Sequence, residues 1–245
     1  MNKKPARGAS AGESAWNRAR SLGTLLGRLA SLGHPALEDR NPMFRPADAE
    51  FPDRRAERKL RLLMCACCRR VWDVLPEPAR AAVEAVEKLA DENLPDKELD
   101  AVESAAYRAV PQSVWMVEYH PDQAGRWTAA AFVQDVIGYT PRCLRAARVT
   151  KEEQAAEEQA QCDLCRDIFG NPYRPVAFDA AWRTSTAVSL ASQMYESRDF
   201  GTMPILADAL QDAGCGDKDV LDHCRDEKQV HVRGCWVVDL VLGKS

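Results

Sequence analysis

Apolar residues recur at three- and four-residue intervals along much of this chain, which is the spacing of one buried face on an α-helix. The first stripe consists of Leu22, Leu25, Leu26 and Leu29. It predicts a helix over residues 13–32 with one side in the core. Prolines at positions 35, 42, 46 and 52 follow and predict an irregular connection.

The clearest stripe lies within residues 53–75. Six residues share one helical face there: Leu60, Leu63, Met64, Cys67, Val71 and Val74. A helix with such a face buries it against other helices. We therefore predict a helix over residues 53–75 that packs in the centre of the protein.

Shorter helices are predicted over the rest of the chain. Their ranges are 79–92, 96–109, 127–137, 142–169, 179–196, 204–214 and 217–225. Asp96, Asp179 and Asp217 are suited to N-cap positions. The last segment, residues 231–243, is apolar and rich in β-branched residues, which leaves both helix and strand open.

Short capped helices joined by proline-marked turns are typical of an all-α fold, here an irregular multi-helix domain with proline-marked connections. We predict a disordered N-terminus over residues 1–12. An N-terminal helix and irregular linker would follow over residues 13–52. A helical core domain would occupy residues 53–245.

Composition places the chain among ordinary globular proteins. Of its 245 residues, 46% are hydrophobic and 29% are charged, and the net charge of −4 favours neither nucleic acid nor acidic membranes. The N-terminus lacks the apolar region of a secretory signal, and no apolar run reaches the ~20 residues of a membrane span. We predict a cytoplasmic protein without a membrane partner, in which the nine cysteines stay reduced.

Common catalytic motifs are missing from the sequence. It contains no GxxxxGK[ST], GxGxxG, GxSxG or HExxH pattern, and it has four histidines. Spacing does not single out any pair among the 37 acidic residues. We therefore predict no catalytic or cofactor-binding residue, and an enzyme gains no support.

Two groups of cysteine and histidine residues could form a zinc site, since zinc takes four nitrogen or sulfur donors in a tetrahedron. The predicted ligands are Cys65, Cys68, His231 and Cys235, with His223 and Cys224 in reserve. Residues three apart on a helix are surface neighbours, so the thiols of Cys65 and Cys68, in the sequence CACC, could share one ion. The alternative is that all of these are packed thiols and hydrogen-bonded imidazoles, as is expected for Cys67.

A third pair of cysteines, Cys162 and Cys165, forms a C-x-x-C sequence near the predicted C-terminal end of a helix. A redox-active pair favours a helix N-terminus, where the macrodipole stabilises the thiolate. We interpret this pair as incidental.

A basic stretch runs from Arg54 to Arg70 and carries seven arginine or lysine residues. Phosphate contacts would make it a nucleic-acid surface. The chain carries no nucleic-acid-reading motif, and the acidic run KEEQAAEEQ could pair with the same face. Nucleic acid is therefore an unfavoured partner.

Four motifs in order resemble an uncharacterised helical protein family of planctomycete genomes that has no established activity. They are RKLRLLMCACCRRVW, DIFGNPYRPV, MPILADALQDAGC and HCR followed by HVRGCWVVDLVLGK, and they cover about residues 58–244. The resemblance implies that the CACC helix and the C-terminal segment belong to one domain. It implies no catalytic residue, and it implies apolar residues at positions 162 and 165 in relatives.

Together these observations favour a non-enzymatic helical protein that acts through contacts with another protein and is stabilised by a structural zinc. The first alternative is a thiol-dependent enzyme or redox protein that uses Cys65 and Cys68. Such thiols need a lowered pKa and partial exposure. The second alternative is nucleic-acid binding through the Arg54–Arg70 face.

Overall fold

A computed structural model describes residues 9–33, 54–75, 77–92, 97, 101 and 150–244. These residues form α-helices and two short 3-10 helices, with no strand in the part described. The all-α prediction is thus confirmed. Helices α1 to α9 are Ala11–Arg18, Leu22–Ser31, Arg54–Arg69, Glu77–Asp91, Lys151–Phe169, Ser185–Ser197, Met203–Asp212, Lys218–Arg225 and Trp236–Leu242.

Some predictions fall outside the described residues. These are the helix over 127–137, most of the helix over 96–109, the first eight residues of the helix over 142–169, most of the linker that ends at residue 52, and residues 1–8. Within the described ranges no helix is long and apolar enough to cross a membrane.

The single helix predicted over residues 13–32 is in fact two helices. Helix α1 ends at Arg18, the backbone of Ala19 is extended, and α2 begins at Leu22. Arg166 of α5 stabilises the break, because its guanidinium donates to the carbonyl oxygens of Trp16 at 3.1 Å and Ala19 at 2.7 Å. The leucine stripe could not reveal this, since the donor lies about 150 residues away.

A first hydrophobic cluster is built by α1 to α5 around α3. The leucine stripes of α2 and α3 both lie in it, and α3 packs against α4 and α5. Cys65, Cys67 and Cys68 lie in this cluster with no exposed surface. The first two helices therefore share a core with the CACC helix.

A second hydrophobic cluster is built by α6 to α9. Helix α6 begins after Thr184, whose hydroxyl accepts from the amide of Ala187, and α8 begins after Asp217, whose carboxylate accepts from two amides. Asp179 instead caps a 3-10 turn, Ala180–Trp182. The C-terminal segment, left open between helix and strand, is helical over Trp236–Leu242.

The two clusters meet through buried charged residues, which we call the polar interface: Arg58, Glu87, Asp91, Asp167 and Asp239. Arg58 of α3 pairs with Asp239 of α9 at 2.6 Å and with Asp91 of α4 at 3.0 Å. Glu87 of α4 accepts from Arg69 and also from Arg198, which follows α6. Buried charges are stable only when paired in this way, so these contacts fix how the halves dock.

Candidate metal centre

Asp167 reaches the polar interface from the last turn of α5. The buried face of that helix includes Leu164, Cys165 and Ile168, and the aspartate lies at its edge with no exposed surface. Gly170 ends the helix with φ +66°, and a Cβ there would lie 3.1 Å from the indole of Trp236. A larger residue would push apart the two segments that carry the site.

The remaining site residues come from a short C-terminal stretch. His223 is in the last turn of α8, His231 lies in the following loop, and Cys235 is the N-cap of α9. The loop turns tightly at Gly234, whose φ is +95° and whose Cβ would come within 2.8 Å of Leu62. Glycine is needed here both for the backbone angle and for close approach to α3.

Four donor atoms converge where these segments meet. One ligand atom from each of Asp167, His223, His231 and Cys235 lies within 4.8 Å of the others. Asp167 Oδ1 is 2.8 Å from His231 Nδ1 and 3.3 Å from His223 Nε2. Cys235 Sγ is 3.2 Å from His223 Nε2 and 3.8 Å from His231 Nδ1.

The donor separations approach those of tetrahedral coordination. Metal–ligand bonds of ~2.0–2.3 Å place the ligand atoms of a tetrahedron about 3.3–3.8 Å apart. Three of the separations above, from 3.2 to 3.8 Å, are close to these values, whereas Asp167 Oδ1 and His231 Nδ1, 2.8 Å apart, must move apart to hold an ion between them. The cluster could hold a metal ion after this local adjustment. The side chains of His223 and His231 are 8% and 6% exposed, and those of Asp167 and Cys235 are fully buried.

Burial and the neighbouring groups shift the pKa values of three residues in the cluster, Asp167, His223 and Cys235. Burial alone would raise the pKa of Asp167, but hydrogen bonds from His223 and His231 outweigh it and hold that pKa below its usual value. Burial lowers the pKa of His223. Burial and the neighbouring Asp167 carboxylate raise the pKa of the Cys235 thiol well above its usual value. A metal ion would supply the positive charge that a thiolate needs here.

The same side chains also form a hydrogen-bond network without a metal. The indole N–H of Trp236 donates to His223 Nδ1 at 3.2 Å, so the proton of a neutral His223 lies on Nε2. Coordination through Nε2 moves that proton to Nδ1, and the indole must then give up its hydrogen bond. The amide of Val232 donates to Asp167 Oδ2 at 2.9 Å, and metal binding at Oδ1 does not require this hydrogen bond to break. The hydrogen bond from the Trp236 indole thus distinguishes the metal-free network from the metal-bound arrangement.

The structure brings together only part of the predicted ligand set. His231 and Cys235 lie in the cluster, together with the reserve ligand His223. Cys65 and Cys68 lie in the first hydrophobic cluster instead, where the Cys65 thiol is 3.7 Å from the carbonyl oxygen of Val83. Cys224 faces the second hydrophobic cluster, and burial raises its pKa to about 12.

Asp167 was not among the predicted ligands. Spacing could not select it from 37 acidic residues. Two signals could have found it: it interrupts the apolar face of α5, and it is the first residue of the DIFGNP motif. Carboxylates on a buried helical face are rare unless they are paired or bind a metal.

The other candidate groups occupy ordinary structural positions. Cys162 and Cys165 are buried in the first hydrophobic cluster, and burial raises the pKa of Cys162 to about 11. In the basic stretch, Arg69 pairs with Glu87, and Arg70 pairs at 3.0 Å with Glu157 of the acidic run. The side chains of residues 54–57 lie outside the description.

Compared with known proteins, the chain matches no family model, no curated protein and no solved structure. The resemblance to a planctomycete family therefore stays a prediction, and functional inference begins from the cluster itself.

Proposed function

We propose that this chain is a non-enzymatic helical protein that binds one structural zinc ion through Asp167, His223, His231 and Cys235 and acts through contacts with another protein. The observation that carries the proposal is the convergence of four buried donor atoms within 4.8 Å. Two sequence-distant segments supply them, α5 and the C-terminal stretch that carries His223, His231 and Cys235. The ion would tie α5 of the first cluster to α8 and α9 of the second.

The donor set favours zinc among the common metal ions. Two imidazoles, one thiolate and one carboxylate suit a borderline-soft ion without a geometric preference of its own, whereas magnesium and calcium take oxygen donors. Three of the donor separations, from 3.2 to 3.8 Å, are close to tetrahedral values and support the same choice.

The closed arrangement favours a structural role. A catalytic zinc keeps a position for water or substrate, with three protein ligands. Here the protein supplies four donors, and each of their side chains is at most 8% exposed. An ion held in this way stabilises the docking of the clusters, and the protein's activity then lies in its surface.

The two alternative functions gain no comparable observation. Cys65 and Cys68 are fully buried, and burial raises the pKa of Cys65, which is opposite to what a reactive thiol needs. Arg69 and Arg70 form ion pairs with the buried carboxylates of Glu87 and Glu157, so neither is an unpaired surface charge available to phosphate. Both alternatives stay predictions.

The direct test is metal content by mass spectrometry on protein purified without chelator. We expect about one zinc per chain, lost in Cys235→Ala and in Asp167→Ala. Cys224→Ala and Cys65→Ala are matched controls, since both thiols are buried but lie outside the cluster; both should keep the zinc. A metal-free wild type, or zinc that is lost only with Cys65→Ala, would contradict the proposed site.

Two further measurements separate the alternatives to a structural zinc. In Trp236→Phe the zinc should be retained, because coordination does not use the indole. If the cluster is only a hydrogen-bond network, this variant is less stable than the wild type and its stability does not depend on added zinc. In the Co²⁺-substituted protein, the visible spectrum should not change when azide is added. A spectral change would reveal an open coordination position and favour a catalytic metal.

A further inference from the structure

A small cavity of about 140 Å³ adjoins the candidate metal centre. It is lined by Leu62, Ala66, Arg69, Glu87, Arg198, Phe200, His231, Val232 and Arg233. A cavity of about 150 Å³ accommodates a molecule the size of benzene. The cavity therefore limits an occupant to a handful of non-hydrogen atoms and excludes a nucleotide.

The charges that line this cavity are unbalanced. Three guanidinium groups face a single carboxylate, that of Glu87, which is shared between Arg69 and Arg198. Arg233 pairs with Asp91 at 2.8 Å, but that carboxylate also serves Arg58 and Lys244. Excess positive charge in a half-enclosed site favours an anion.

Two residues that line the cavity each have a buried nitrogen atom without a hydrogen-bond partner among the described residues. The atoms are Arg233 Nε and His231 Nε2, and the His231 side chain is only 6% exposed. Buried polar atoms are almost always paired, so such atoms mark where a partner is missing. If a metal takes His231 Nδ1, the ring proton must lie on Nε2, which then becomes a donor.

The other lining residues are apolar. Leu62 and Ala66 come from α3, and Phe200 and Val232 come from the two loops that face it. A bare inorganic anion would leave these side chains without contact. An anion with a short hydrocarbon part would meet both halves of the lining.

We propose that this cavity binds a small carboxylate anion with a short apolar substituent. Arg198 and Arg233 hold the carboxylate through N–H groups that their pairs with Glu87 and Asp91 do not use, whereas Arg69 adds positive charge because Glu87 already takes both N–H groups of its fork. The apolar residues hold the substituent. The contribution of His231 rests on the proposed zinc site, whereas that of the arginines does not.

The test is calorimetric titration of the zinc-loaded 245-residue chain with propionate, with inorganic phosphate and propylammonium as comparison ligands. We expect saturable propionate binding and none of propylammonium. In Arg198→Asn, propionate should bind at least tenfold more weakly, with zinc content unchanged; asparagine tolerates the positive φ of 59° at this position. Arg225→Gln, at an exposed arginine that pairs with Asp208, should bind as the wild type does.

The outcomes separate this inference from the proposed zinc site. Zinc-loaded protein that binds no propionate, or that binds phosphate alone, overturns the carboxylate site and leaves the zinc site standing. Equal propionate affinity in Arg198→Asn and the wild type also overturns it. If protein purified without chelator contains no zinc but binds propionate through Arg198, the missing zinc contradicts the zinc site and the propionate binding supports the cavity site.

Discussion

Arg58 connects four helices, and replacing it with methionine is the sharpest test of the polar interface. Its guanidinium donates to Asp91 of α4, Tyr195 of α6 and Asp239 of α9, at distances from 2.6 to 3.1 Å. Methionine keeps an unbranched side chain of related length but removes the charge and all of these hydrogen bonds. The change therefore isolates the electrostatic contribution.

The size of the effect follows from what is left behind. Asp91 loses only part of its stabilisation, because it keeps Tyr195, Arg233 and Lys244 as partners. Asp239 has a side chain only 2% exposed and loses its direct ion-pair partner. Breaking a buried pair by removing one member costs about 3–5 kcal/mol. We expect Arg58→Met to lower the free energy of unfolding by that amount.

Urea denaturation followed by far-UV circular dichroism, in zinc-saturated buffer, measures the change. The matched control is Lys88→Met, which removes an exposed pair with Glu92 and should cost under about 0.5 kcal/mol. Arg58→Met/Asp239→Asn should cost less than the sum of its parts, because the second change removes the stranded charge. A loss below about 1 kcal/mol in Arg58→Met would refute the idea that buried ion pairs hold the clusters together.

Three other predictions concern separate parts of the molecule. Burial would raise the pKa of Glu87, but hydrogen bonds from Arg69 and Arg198 outweigh it and lower that pKa below 4.5. The stability that the Glu87 carboxylate contributes is therefore present above pH 4.5 and is lost as the pH falls through the folded-state pKa. Urea titrations should show that the stability advantage of the wild type over Glu87→Gln shrinks across that window, and a constant advantage would contradict this. Gly234→Ala should lower the free energy of unfolding by about 1–3 kcal/mol, since it strains a positive φ and crowds Leu62, whereas Gly216→Ala, with open space around it, should change little in the same assay. All eight cysteines among the described residues are buried, and the ninth, Cys143, lies outside them. Native protein with the Cys143→Ser change should therefore resist alkylation at pH 8, as measured by mass spectrometry, and rapid labelling of any of the eight would support the thiol-enzyme alternative.

Helix positions could be predicted because they depend on local pattern. The stripe within residues 53–75 predicts the start of α3 to within one residue, but the helix ends at Arg69 and a 3-10 turn, Trp72–Val74, follows. Asp217 caps α8 as expected. The break between α1 and α2 could not be predicted, because it depends on Arg166, far along the chain. Local sequence predicts where a helix can form, whereas distant donors decide where it stops.

The candidate site could be predicted only in its C-terminal half. His231 and Cys235 are close in sequence, so a tight turn such as the one at Gly234 was enough to bring them together. Their partner depended on which helix docks against that turn. Cysteine was the expected partner because thiols are frequent zinc ligands, yet the thiols of α3 lie among leucines, where a cysteine is a small hydrophobe.

The missing partner was a carboxylate, and the reason lies in how the two clusters dock. An apolar interface would have left a hydrophobic face to read from the sequence, but this one is made of charges that are buried in pairs. An aspartate in a helical sequence is predicted to be exposed unless a partner for its charge is known. The partners of Asp167 are His223 and His231, which lie 56 and 64 residues further along the chain. Exposed acidic residues tolerate many replacements, whereas a buried carboxylate held by two imidazoles does not. Asp167→Glu therefore separates the two situations: one added methylene should cost both zinc and stability at position 167, and the same change at the exposed Asp208 should cost neither.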